Sequence, residues 1–199
     1  MTGRHDARER LVAAAERLLT SSGPRSVSMD AASAAAGAGK MSAYRHFAGK
    51  DDLLAAVLER YNRRHLQWLL GDGRTARAES APAGPVSRIL SAFDRLESAA
   101  GGESFRGCPF VDAALAAPGP DPRVGVIAAR HKEDLIRELT GLVAQTGRPE
   151  PDELAAAVAL VIDGATVQAA LAPDRASRQR IVRRGRRVAE TILAPAGQS

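Results

Sequence analysis

Apolar residues recur every three or four positions through most of this chain, and runs of Gly, Pro and Ser cut the rhythm into segments. That period is helical, and the breaks set the helix ends. A first helix is expected over Arg8 to Thr20, with Leu11, Ala15, Leu18 and Leu19 on one face, after a polar arm of about six residues. Ser21-Ser22-Gly23-Pro24 ends it. Ser28 is placed to cap a second, alanine-rich helix, Asp30 to Ala36, which stops at Gly37. A third, Lys40 to Phe47, restarts at once. Two short helices joined by a tight glycine turn form a helix-turn-helix. Gly49-Lys50-Asp51-Asp52 then opens a long helix to about Leu70, with two acids in its first turn and a stripe at Leu54, Val57, Leu58, Tyr61, His65 and Trp68.

The rest continues in the same period. A Gly-, Ala- and Pro-rich loop over 71–85, with Arg74 and Arg77, leads to a helix from Val86 to Ala99. Gly101-Gly102 breaks it. Phe105 to Phe110 reads as a compact apolar turn, Val111 to Ala117 as a short helix and 117–122 as a break. Helices follow over Arg123–Thr146, Asp152–Leu171 and Arg175–Leu193. The first of the last pair is apolar almost all round and is expected to be buried on most sides. The expected fold class is all-α, about nine helices without a strand: a three-helix unit over 1–50 and a larger helical body over 51–199.

Composition changes this picture little. Hydrophobic residues make up 45% of the 199 and aromatics 4%, with alanine abundant. The formal charge of +5 and pI near 10.1 point to an anionic partner, although arginine supplies most of the excess. A single cysteine, Cys108, allows no internal disulfide and fits a reducing compartment. The N-terminus lacks the apolar core of a signal peptide. No run approaches the roughly 18 uncharged apolar residues of a membrane span, because Leu154–Leu171 contains Asp163. The expectation is a soluble cytoplasmic protein with no membrane partner and no cofactor.

The third helix is unusual for a core element. It carries Lys40, Ser42, Tyr44, Arg45 and His46 in seven positions and little aliphatic bulk, the side-chain types that meet phosphates and base edges. Gly39-Lys40 is not a phosphate loop, since Ala34 and Met41 stand where that pattern needs Gly and Ser or Thr. His65 and His131 sit on apolar faces with no second ligand at metal-binding spacing. Asp163, in the apolar eighth helix, needs a partner such as an arginine, a capping group or a ligand, and Gln168 stands about a turn further on. Cys108 is read as a structural thiol or, beside Arg106, as a redox or electrophile sensor. Catalytic triads, metal quartets and phosphate loops are missing from the sequence, so a helical enzyme is the weakest alternative. The last helix has a seam at Ile181, Gly185, Val188 and Ile192, and a row of six arginines from Arg178 to Arg187 is read as a solvated face. With Val158, Val161 and Ile162 of the helix before it, that seam is a candidate dimer interface.

Ala36-Gly37, Tyr44-Arg45-His46-Phe47, Lys50 and Leu53-Leu54 together resemble the DNA-binding signature of TetR-type (TetR/AcrR) transcriptional regulators. The likeness covers about a quarter of the chain. Departures are Gly39, where Ser or Thr is usual; Met41, where a small residue is common; Ala43, where Leu is common; and Ala32-Ser33. The resemblance implies a homodimeric regulator, joined by a two-fold four-helix bundle and released from a double-stranded DNA operator by a small-molecule effector. Gly39, Lys40, Met41 and Ser42 are then expected at base edges. Tyr44, His46, Lys50 and the Ser28 cap are expected at phosphates, with Arg45 either joining them or pairing with an acid of the first helix. Effector-cavity candidates are Tyr61, His65, Trp68, Phe93, Phe105, Cys108, Phe110, His131, Asp163 and Gln168. An apolar lining with these few polar groups suits a hydrophobic or weakly polar ligand.

Overall fold

The computed structural model describes residues 2–71, 84–116 and 122–195. Most of the expected 71–85 loop, with Arg74 and Arg77, lies outside them, as do 117–121. The described residues form nine α-helices: α1 Thr2–Ser22, α2 Met29–Ala36, α3 Lys40–His46, α4 Lys50–Leu70, α5 Pro85–Ala100, α6 Pro109–Leu115, α7 Pro122–Ala144, α8 Pro151–Leu171 and α9 Arg175–Leu193. No strand occurs among them.

The chain divides into two compact units, Met1–Arg63 with Pro109–His131, and Arg64–Cys108 with Lys132–Ser199. The sequence boundary near residue 50 therefore falls inside the first unit. The reason lies in α4, whose Leu53, Leu54, Val57 and Leu58 are all buried. Each such side chain stabilises by about 1.5–3 kcal/mol when fully buried.

In the first unit α1 packs on α2 and α3 through Leu11, Ala15 and Leu19. It starts at Thr2, so the expected polar arm is helical. The Asp6–Arg10 pair, four residues apart, supports that turn without any apolar periodicity. Arg60 of α4 bonds Glu9 at 2.5 Å and Glu16 at 3.0 Å, fastening α4 to α1. Arg123 at the start of α7 pairs with Asp52 at 2.9 Å, and Asp52 also accepts the Ala48 N–H at 3.0 Å.

The second unit is built on α5, α8, α9 and the parts of α4 and α7 within it. Its core holds Phe93, Leu135, Leu139, Val158, Ile162 and Val182. Two α5 arginines close the end of α4, where carbonyls lack helical partners. Arg95 donates to Leu69 O at 2.7 Å and Gly71 O at 3.0 Å, and Arg88 to Leu70 O at 3.1 Å. Gly107, at φ 87, lets the loop before α6 run against Thr166 and Ala170 of α8.

Three expectations change here. The arginine row of α9 is not simply solvated: Arg183 binds Glu97 at 2.5 Å, and Arg186 binds Asp94 at 3.0 Å and Glu190, tying α9 to α5. Helix α8 is not buried on most sides, since Leu160 and Leu171 are 73% and 81% exposed. By length and composition, with mean hydropathy 1.8, α8 is also long and apolar enough to cross a membrane. One interior carboxylate does not lower that average enough to exclude it, and the core helices of globular proteins often meet the same measure.

Candidate nucleic-acid interface

The α2–α3 corner is set by backbone chemistry. Ser28 has extended backbone, and its Oγ accepts the Ala31 N–H at 3.1 Å, capping α2. At the other end Gly37 is left-handed, φ 60 and ψ 33. Its N–H reaches Ala34 O at 3.2 Å, and the Ala38 N–H reaches Ser33 O at 2.9 Å. This is the paired-bond helix stop that glycine favours. Ser33, one of the departures from the signature, is buried and satisfied, with its hydroxyl on Met29 O at 2.6 Å. Gly39 begins α3 with no side-chain cap, so its carbonyl takes the Ser42 N–H at 2.8 Å.

Helix α3 divides by face. Ala43, and Phe47 just after it, are buried, with the Arg8 guanidinium 5.3 Å from the Phe47 ring centre. Outward, Met41 is 78% and Tyr44 50% exposed, and Lys40, Arg45 and Lys50 are exposed too. Ser42 and His46 are half-buried at the edge. Of the three α1 acids, Glu9 and Glu16 pair with Arg60 and Asp6 pairs with Arg10. Lys40 has a partner that the sequence did not reveal: its Nζ lies 2.8 and 3.1 Å from the two carboxylate oxygens of Asp30. This contact raises the Lys40 pKa, chiefly by hydrogen bonding and then by charge.

The effector candidates separate into groups. In the first unit Tyr61 meets Phe110 at 5.8 Å between ring centres. Phe110 stacks on His131 at 3.8 Å, and His131 Nδ1 lies 2.6 Å from Asn62 Oδ1. Phe110 and His131 are fully buried. In the second unit His65 stacks on Trp68 at 5.3 Å, and Lys132 Nζ lies 2.5 Å from Asp163 and 3.7 Å from Cys108 Sγ. Burial, reinforced by the Lys132 charge, pushes the His65 pKa down to about 4. The partner of Asp163 is thus a lysine rather than an arginine. Lys132 was legible only as a cation next to His131. Phe93 belongs to the second-unit core, and Phe105 packs against it.

Gln168 does not join Asp163, because five residues along a helix turn it by about 140°. It lines a groove of about 370 Å³ between α8 and α9, with Leu160, Val161, Ile181, Arg184, Gly185 and Val188. Of the seam residues, Val158, Ile162 and Gly185 are buried within the protomer. Val161, Ile181 and Ile192 are half-buried, and Val188 is exposed. No group of three or more His, Cys, Asp or Glu side chains is arranged for a metal among the described residues.

A capped α2, a glycine stop and an α3 with a polar outer face, carried by an all-helical chain, define a helix-turn-helix DNA-binding regulator. The comparisons place it more narrowly. Residues 11–57 match the model of bacterial regulatory proteins of the tetR family, and 109–194 match the C-terminal model of BetI-type transcriptional repressors. An uncharacterized HTH-type transcriptional regulator of Mycobacterium tuberculosis is 31% identical, over 83% of this chain and 89% of its own. A solved TetR-type transcriptional regulator of Streptomyces avermitilis is 30% identical with a TM-score of 0.70, covering 92% of this chain and 98% of the other. A TetR-family regulator of Streptomyces coelicolor, 24% identical, shares the fold with a TM-score of 0.75 over 94% and 88% of the two chains. The chain belongs to the TetR family of transcriptional regulators.

Proposed function

We propose that this regulator is a cytoplasmic homodimeric repressor that leaves its operator when a small molecule binds the helical body. The observation that carries the DNA half is the division of α3: Ala43 inside with Phe47, and Lys40, Met41, Tyr44 and Arg45 outside. An outward helix of this kind lies in the major groove, its first residues at base edges and Tyr44, His46 and Lys50 toward phosphates. Two such helices in a dimer read half-sites about 34–36 Å apart.

The effector half rests on the polar group of the second unit, where His65, Lys132 and Asp163 of three helices meet Cys108 of the loop before α6. Helix α4 is continuous, belonging to the first unit up to Arg63 and to the second from Arg64. In this reading, ligand binding near the second-unit end of α4 acts on the DNA-binding end through that helix. A ligand needs only differential affinity for the two states, and a tenfold difference corresponds to about 1.4 kcal/mol. Cys108 as a redox switch is not favoured: the chain has no second cysteine to pair with it, and Lys132 beside it is engaged by Asp163.

The test is selection of genomic fragments by the purified protein, read by sequencing. A short pseudo-palindrome is the expected product. No enrichment by folded protein that has been denatured and refolded free of ligand would count against operator recognition.

A further inference from the structure

We infer that Asp30 is a positioning residue for operator readout, aiming the Lys40 ammonium at a base edge while removing its charge from general attraction to phosphates. Asp30 stands in the first turn of α2, two residues after the Ser28 cap, and Lys40 is the first residue of α3. Both side chains are well exposed, 68% and 61%. No burial forces them together, yet both carboxylate oxygens face one ammonium, at 2.8 and 3.1 Å. This inference rests on α3 lying in the major groove.

Two consequences follow from this geometry. A lysine ammonium has three donors on a flexible stem and is ordinarily a point charge that any phosphate satisfies. The hydrogen bond to one Asp30 oxygen at 3.1 Å and the ion-pair approach to the other at 2.8 Å bias the stem toward Asp30, so the remaining donors have a preferred direction, suited to an acceptor such as guanine O6 or N7. The second consequence is electrostatic. Duplex binding grows with the number of phosphates that a protein neutralises, and that part ignores sequence. A lysine already matched by a carboxylate adds nothing to it. Asp30 also places a negative charge at the α2 N-terminus, where a phosphate would otherwise be welcome. The pair thus lowers binding to every sequence and returns the loss only where a base acceptor meets the aimed donor.

Asp30→Asn and Asp30→Glu test this by fluorescence anisotropy between 50 and 300 mM salt. The probes are a random-sequence 30-base-pair duplex and the sequence that wild type enriches from a random duplex pool. Asp30→Asn is expected to bind the random duplex several-fold tighter, with a log affinity–log salt slope steeper by about one. Its preference for the enriched sequence falls about tenfold, and Asp30→Glu restores most of it. In a Lys40→Met background the same Asp30→Asn change steepens the slope much less. An unchanged slope or preference for Asp30→Asn overturns the inference, as does an equal steepening without Lys40. The random-duplex arm needs no operator. The groove placement is tested separately: if Tyr44→Ala and Arg45→Ala bind the enriched sequence like wild type, that placement fails whatever Asp30 does.

Discussion

His65 shows how one residue's surroundings set a measurable property. Burial comes first and the Lys132 charge second, and both disfavour the imidazolium, so the pKa drops from 6.5 to about 4. The unfolded chain takes up this proton first as pH falls. The contribution of neutral His65 is therefore intact at pH 7, declines as pH passes below 6.5, and is lost below about 4. At pH 5 the loss is about 2 kcal/mol by linkage. Urea melts at pH 7.5 and pH 5 will register it as a drop in unfolding free energy that His65→Gln largely abolishes. An equal drop in the variant would assign the acid sensitivity to other groups. The sequence marked His65 as a polar residue on an apolar stripe. It did not reveal Lys132, which is 67 positions away along the chain and is brought near only by tertiary packing. For the same reason the sequence shows that Asp163 needs a partner, an arginine, a capping group or a ligand, but not that the partner is Lys132.

At the scale of elements, helix ends were legible and helix surroundings were not. Gly37 stops α2 and Asp174 caps α9 through the Ser177 N–H at 2.8 Å, both by local chemistry that a sequence displays. The start of α1 escaped because no apolar stripe marks it; the Asp6–Arg10 pair supports only the turn that follows. The arginines of α9 looked solvated because their partners, Asp94 and Glu97, lie on another helix. The outward character of α3 was readable from its composition. Its Lys40–Asp30 contact was not, since the two stand ten positions apart across a turn.

Gly185 measures how closely α8 and α9 approach. A Cβ there would lie 2.9 Å from Ala165 Cβ and 3.3 Å from Phe93 Cε1. Helix propensity favours Gly185→Ala by about 1 kcal/mol, whereas overpacking a filled core costs about 1–3 kcal/mol. Ala165 Cβ is fixed to its own helix and Phe93 is fully buried, so neither yields by rotation alone. The steric cost wins, and Gly185→Ala is expected to lose about 1 kcal/mol in urea with an unchanged m value. Gly141→Ala, whose Cβ meets nothing within 4 Å, should instead gain up to about 1 kcal/mol. A stabilised Gly185→Ala would mean that the two helices are less tightly apposed.

For the whole molecule, the unanswered demand is the outer surface of α8 and α9. Leu160, Val167 and Leu171 recur at spacings of seven and four along α8, and Val188 stands on α9; all four are exposed. Leu160 and Val188, with half-buried Val161 and Ile181, line the same groove as Gln168 and Arg184. A two-fold axis through this surface would bury four large apolar side chains from each copy. Fully buried, each contributes about 1.5–3 kcal/mol, against an association cost of about 4–15 kcal/mol. In such an arrangement Val158 and Ile162, already buried within one chain, would take no direct part. Wild type should therefore sediment as a dimer and melt at a temperature that rises with protein concentration. A Leu160→Glu/Val188→Glu variant should sediment as a monomer with its helical circular-dichroism signal retained. It should bind a full palindrome no better than a half-site, because two recognition helices no longer arrive together. If that variant remains a dimer, the two copies meet on another face; if wild type is monomeric at tens of micromolar, the two-fold reading fails and the apolar stripe has a different partner.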